Sequence, residues 1–265
     1  YWRSTVVAHP GLLARAPEAL RGEADLMLEV AKRDSGALRL VAPGLLADRD
    51  WVLRAVAAGL AEALAHAPQA LREDRAFVLA AMRSNGIAIS FAAPEVLGDW
   101  RAMRHVVAQN PDLLRWASQA LLEDRRVMLE AVQLGGNCVQ YACEALRDDP
   151  EVVLAAMRQN VRAFRFASPR LRGEMDFASQ ALSMDALAVL PFVAEGLRGS
   201  PVFMRQALAL VGAREALRLA AAPLRSDREF VLQAVGLDGL ALEAAAEELR
   251  ADRGVVLLAV VENWR

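Results

Sequence analysis

The sequence predicts an all-α fold: a helical-repeat solenoid, or α-α superhelix, of about ten units of roughly 25 residues each. Three observations carry that prediction. Acidic anchors recur at Glu23, Asp48, Asp74, Asp99, Asp124, Asp149 and Glu174 and again at Asp227 and Asp252, with Ser200 in the intervening slot. After the anchors an apolar group returns, as in Phe77-Val78-Leu79, Val127-Met128-Leu129, Val152-Val153-Leu154 and Phe230-Val231-Leu232. The unit then passes through Asn or Gly into an alanine-rich stretch with one large residue, and leaves on Leu-Arg, as at Leu71-Arg72 and Leu146-Arg147. One such unit cannot bury enough apolar surface to offset its own chain entropy, so the units must stack.

Each element follows from its residues. Asp48, Asp74, Asp99, Asp124, Asp149, Asp227 and Asp252 stand where an N-cap belongs, able to accept from the free N–H groups of a first turn and to complement the helix dipole. A helix of about ten residues should start at each. Val78, Leu79 and Met82 then share one face, as do Val52, Leu53 and Val56, or Val153, Leu154 and Met157. Asn85-Gly86 and Gly135-Gly136 tolerate the left-handed conformation that ends a helix, so the first helix is expected to stop there. A second, short helix is expected over about seven residues, 87–93 for example, with Pro43, Pro94 and Pro169 marking the next turn. Ala67, Ala92, Ala117, Ala142, Ala167 and Ala245 fill one slot of it, which suits close approach of backbones. Ser90, Arg115, Gln140, Arg165 and Glu243 form its one mostly polar column.

The array is read as continuous over 1–265: regular over 1–173, irregular over 174–225, and regular again over 226–265 with an incomplete last unit. Pro191, Gly196, Gly199 and Pro201 interrupt the middle stretch, where a bend is expected. Val6-Val7-Ala8 matches Val106-Val107-Ala108 from inside a first helix, and the unit opened by Asp252 stops before its second helix. A processed chain, a fragment, or ends resting on partners would account for both.

Composition narrows the function. With 265 residues, 55% of them hydrophobic, the chain is not of the disordered class. Its apolar runs fall far short of the roughly 20 residues of a transmembrane segment, so none is expected. A single lysine, Lys32, accompanies the arginines, and 31 basic residues face 33 acidic ones, leaving no general basic field for nucleic acid. Cys138 and Cys143 cannot make a disulfide framework, which fits a reducing compartment: cytosol, or a plastid or mitochondrial interior.

The candidate sites each have a structural reading beside the functional one. Phe91, Trp116, Tyr141 and Phe166 recur in register, with Leu40 and His66 in the same slot. A row of rings could grip bases, but on a short helix with apolar faces the column reads as a core spine. Arginines recur at the exits, including Arg72, Arg147 and Arg172, and with Arg115 and Arg165 they are candidate partner-binding residues. Every exit arginine has an acid within a few positions, so a solvated charge network tying the repeats together is the simpler reading. Cys138 and Cys143 replace Ala88 and Ala93 in the repeat, as small buried thiols do, and His9, His66 and His105 occupy unrelated positions. With no phosphate loop, nucleophile elbow or zinc helix motif, no catalytic residue, cofactor or metal is expected, and the protein does not read as an enzyme.

The units Asp74 to Leu97, Asp124 to Arg147, Asp149 to Arg172 and Asp227 to Arg250 resemble domain of unknown function 4116, with its pattern D-R-x-x-V-L-x-A-V-x-x-N-G-x-A-L-x-x-A-x-x-x-L-R. Two adjacent units make one copy of that domain, and the likeness covers nearly the whole chain. It implies tandem arrays of the kind found in protists, algae and some host-associated bacteria, with no catalytic residues to carry over. A weaker likeness to leucine-rich variant repeats rests on the acidic start and on Asn110-Pro111, and also implies stacked short helices. The expected function is therefore a non-catalytic scaffold for protein–protein interaction. The alternative is an accessory subunit of a large organellar assembly, such as a photosynthetic or respiratory membrane complex. Single-stranded RNA binding is a third reading, which the balanced charge disfavours.

Overall fold

The computed structural model of the protein describes residues 1–263, and every regular element among them is an α-helix or a 3₁₀-helix, with no strand. The last two residues of the final unit, 264 and 265, lie outside the described residues. The chain is an all-α helical-repeat fold. It divides into two compact units, Tyr1–Val127 and Met128–Arg265.

The repeat has three helical elements where the sequence suggests two. In the first compact unit Arg75–Ser84 is α-helical, Gly86–Phe91 is a 3₁₀-helix, and Pro94–Leu97 is a further short helix. In the second, Pro150–Gln159, Val161–Phe166 and Pro169–Gly173 repeat the order. The prolines therefore open a third element rather than only marking a turn, because proline at N1 forfeits an N–H that the helix leaves unpaired in any case. The alanine column falls between the second and third elements: Ala92, Ala117, Ala142 and Ala167 are extended residues that end the 3₁₀-helix.

The first helices bury a face one residue earlier than the sequence pattern suggests. Phe77, Val78, Ala81 and Met82 are buried, as are Val152, Val153, Ala156 and Met157, while Leu79 and Leu154 are half-buried. The 3₁₀ element adds its third and fourth residues to this core, Ala88 and Ile89 in one repeat and Ala163 and Phe164 in another. With three residues per turn, its second and fifth residues eclipse each other on the outward side. Packing runs from repeat to repeat: the Phe164 ring stacks on Phe177 of the next first helix at 6.2 Å, and the Trp51 indole N–H donates to the Ala24 carbonyl at 2.8 Å.

The turn after the first helix is extended, not left-handed. Asn85, Asn110 and Asn160 have φ of −153°, −145° and −152°. Each side-chain oxygen caps the 3₁₀-helix, accepting from the backbone N–H of Ile87, Asp112 and Arg162 at 3.1, 3.0 and 3.1 Å. Asparagine is thus used as a start signal for the second element, because its short amide reaches the N–H two residues on. Among the described residues only Gly59 and Gly212 have positive φ. Gly136 answers a different need: a Cβ there would lie 2.4 Å from the Ala156 carbonyl oxygen.

Successive repeats are also joined by backbone hydrogen bonds. The carbonyl of the exit residue accepts from an N–H about 21 residues later: Arg21 from Ala42, Leu97 from Ser118, Arg147 from Ser168, Arg198 from Ala221 and Arg225 from Ala246, all within 2.9–3.0 Å. At the equivalent position Pro68 has no N–H to give.

Candidate partner-binding surface

The aspartate anchors are caps in geometry. Asp48 accepts from Asp50 and Trp51, Asp74 from Phe77, Asp99 from Arg101, and Asp124 from Arg126 and Val127. In the second compact unit Asp149 accepts from Glu151 and Val152, Asp227 from Phe230, and Asp252 from Gly254 and Val255. Glu23, Glu174 and Ser200 occupy the same slot without a side-chain cap bond. The Phe77 N–H, followed by Arg49, holds the Asp74 carboxyl below its ordinary value; the Val255 N–H, followed by Arg228, does so for Asp252.

Two arginine columns divide the work between them. The arginine after a cap pairs with the next cap: Arg49 with Asp74 at 2.6 Å, Arg75 with Asp99 at 3.1 Å and Arg228 with Asp252 at 3.3 Å. Here acids and bases do tie repeats together. The exit arginines do not belong to that network, which corrects the sequence reading. Arg172 donates to the Ala167 and Phe192 carbonyls at 3.1 and 3.2 Å, and Arg198 to the Val193 and Leu219 carbonyls at the same distances. Arg21 donates to the Ala14 carbonyl at 2.8 Å. Arg72 and Arg147 are half-buried with their Nε atoms out of water and unbonded. The reason is position: the third helix delivers Arg172 and Arg198 to carbonyls at the ends of second elements, their own and the next. Arg172 is therefore built into a repeat joint, while Arg72 and Arg147 are half-buried.

The aromatic column is likewise not a core spine. Phe91, Tyr141 and Phe166 are half-buried, and Trp116 is 38% exposed. The buried column lies two residues earlier, at Ile89, Leu114, Val139 and Phe164. As the last residues of a 3₁₀-helix, the rings sit at the rim of the core rather than within it. Arg115 lies over Trp116 at 5.6 Å, and Arg165 over Phe166 at 4.5 Å.

The outward stripe of the second element, its eclipsed second and fifth residues, changes from repeat to repeat. In the first compact unit it carries Ile87 and Ser90, then Asp112 and Arg115; in the second, Asn137 and Gln140, Arg162 and Arg165, and Leu240 and Glu243. Of the sequence-predicted arginines only Arg115 and Arg165 stand on this stripe, and both are exposed. Sequence reasoning missed Arg162, whose slot is not a recurrent arginine column. Its signal was the charge run: between Glu151 and Glu174 there are five arginines and no acid.

The profile of the family described as Domain of unknown function (DUF4116) matches residues 103–147, 124–172 and 227–263. The three matches, two of them overlapping, are consistent with tandem repeats similar to that family over those residues. No curated protein and no solved structure matches it. The matched stretches hold the first helices capped by Asp124, Asp149, Asp227 and Asp252 and much of the varying stripe, and the family's description names no chemistry. Cys138 is buried and Cys143 half-buried, neither in a disulfide. Among the described residues no group of His, Cys, Asp or Glu is placed to hold a metal ion, and no helix is long and apolar enough to cross a membrane.

Proposed function

We propose that these repeats form a non-catalytic scaffold that binds another protein. One observation carries the reading: the core, caps and joints repeat, while the outward stripe presents a different pair in each repeat, apolar, acidic, amide or basic. A stacked array that keeps its interior and varies an exposed edge within each compact unit is suited to recognition. Crosslinked affinity capture from source cells tests it, with a stoichiometric protein partner as the expected result. Recovery of the chain alone, at its own 28.8 kDa, would count against the scaffold.

A second reading, an accessory subunit of a large assembly, draws on the second compact unit. There Leu187, Val202, Leu210 and Leu237 are each more than half exposed. Each would lose exposed apolar area on being covered by a partner. Native fractionation separates the readings: steady co-migration with one large complex supports the subunit, and exchange among smaller species supports the adaptor.

A further inference from the structure

We infer that Arg162, Arg165 and Leu187 form a docking point for an extended, acidic–apolar segment of a partner protein. This inference deepens the scaffold reading and rests on it. The 3₁₀ geometry of Val161–Phe166 stacks Arg162 directly beneath Arg165, about 6 Å apart along the helix, on the outward stripe. Both are exposed, and no carboxylate among the described residues pairs with either. Arg170, in the same charge run, shows the contrast: it is held by Asp148 and Glu174. Arg165 lies over the Phe166 ring at 4.5 Å, which orders its guanidinium while leaving N–H edges free for a carboxylate. Arg162 and Arg165 thus present two adjacent positive charges already steadied on one side.

The next repeat sets the partner's other property. Leu187 occupies the slot of Arg162 one repeat on, is 60% exposed, and stands on Ala186–Val189, which packs against Val161–Phe166. Neighbouring helices lie about 8–10 Å apart, which an extended chain crosses in about three residues. The matching ligand is a pair of Asp or Glu residues with an apolar side chain about three positions away. A single-stranded nucleic acid fits less well. Its phosphates would need basic residues on successive repeats, and here the flanking stripes carry Asn137 and Gln140 on one side and Leu187 on the other.

The test is fluorescence anisotropy on the whole chain with a labelled peptide bearing a Glu-Glu pair and, three residues on, a Leu-Leu pair. A Lys-Lys version of the peptide and a uridine oligonucleotide of similar length serve as competing probes. The acidic peptide should bind best, R162E/R165E should weaken it at least about tenfold, and L187S several-fold. R101E/R104E makes the same change of charge on the exposed face of a first helix in the first compact unit and should leave binding unchanged. Equal losses in both double variants, no loss in R162E/R165E, no binding by the wild type, or tighter binding of the oligonucleotide each overturns the inference. Circular dichroism and melting curves confirm that the variants fold. A partner captured from cells that remains on R162E/R165E overturns this docking point and leaves the scaffold standing; absence of any stoichiometric partner overturns the scaffold itself.

Discussion

The junction at Asn160 and the junction at Gly212 join the same two elements by opposite means. Before Asn160 the first helix has 10 residues; Asn160 is extended, and its amide oxygen starts a 3₁₀-helix. Before Gly212 the helix has 11 residues; Gly212 takes φ 84° and ψ 160°, and a seven-residue α-helix follows. One added residue turns the end of a helix by about 100°. The chain then leaves in a direction an extended L-residue cannot redirect, and glycine's freedom restores the course. Gly59, with φ 96°, stands instead after a helix of 9 residues, in the slot that Asn160 fills, so its positive φ does not follow a lengthened helix. The array therefore absorbs an added residue through glycine at Gly212 and without one in the 26-residue unit from Glu174 to Ser200, where Asp185 is extended, and its ordinary junction is a hydrogen bond rather than a backbone exception.

Gly136 supplies the largest test of that distinction, because it is a glycine for space rather than for φ. A Cβ there would meet the Ala156 carbonyl oxygen at 2.4 Å and the Asn160 nitrogen at 3.0 Å, both backbone atoms that cannot swing aside. Gly136→Ala should cost about 2–3 kcal/mol in urea unfolding. Gly212→Ala meets nothing within 4 Å, so its cost is conformational alone, about 1–2 kcal/mol. An unchanged midpoint for the first variant would place the next helix farther away; one for the second would show that the junction relaxes out of the positive-φ region.

The ordinary junction should be less sensitive. Asn160→Ala removes the cap on the 3₁₀-helix and the amide bond to Asn137, at 2.9 Å, and should cost about 1 kcal/mol. Asn160→Asp keeps an acceptor for the Arg162 N–H while losing the donor to Asn137, and should cost less. If the two variants fall together in thermal melts, the inter-repeat bond, and not the cap, is what Asn160 contributes.

These cases explain what could be read in the sequence. An aspartate or asparagine cap bonds to an N–H two or three residues away, so its chemistry is local, and the Asp74 and Asp149 anchors stand out in a single chain. The period and the apolar groups are equally local, which is why the helical-repeat class was legible. The type of the second element was not: 3₁₀ and α differ by about 20° per residue, and over six residues that moves Phe91 and Phe166 from an expected spine to the rim. The exit arginines misled for a related reason. An acid nearby in sequence says nothing about the Phe192 or Leu219 carbonyl, about 20 residues on, that the guanidinium actually reaches. Arg162 was hidden by averaging, since a repeat consensus suppresses the residues that differ, and a recognition surface is made of those.

The smallest expected effect lies at the other end of the first helices and separates the two junction types again. Asp74 and Asp252 are held below the usual carboxylate value of 3.8, chiefly by the N–H groups of Phe77 and Val255 and then by Arg49 and Arg228. A lowered folded-state pKa means that the unfolded chain takes up its proton first as pH falls. Stability from these caps is therefore full above the unfolded value and is lost as pH drops below about 4 and through the folded value. Asp74→Asn keeps an oxygen for the Phe77 N–H, so it should change little at neutral pH and flatten the acid limb of a stability–pH curve. Arg49→Met should move the Asp74 midpoint only part of the way back in a carboxyl NMR titration, because the larger N–H contribution remains. The first helix leading to Gly212 starts at Ser200, whose side chain makes no cap bond, so its N-terminus should add nothing to this titration. Ser200→Asp supplies the cap that Asp149 gives its own helix and should raise stability by about 0.5–1 kcal/mol in urea unfolding; no gain would show that the insertion before Gly212 has also altered the entry to that helix.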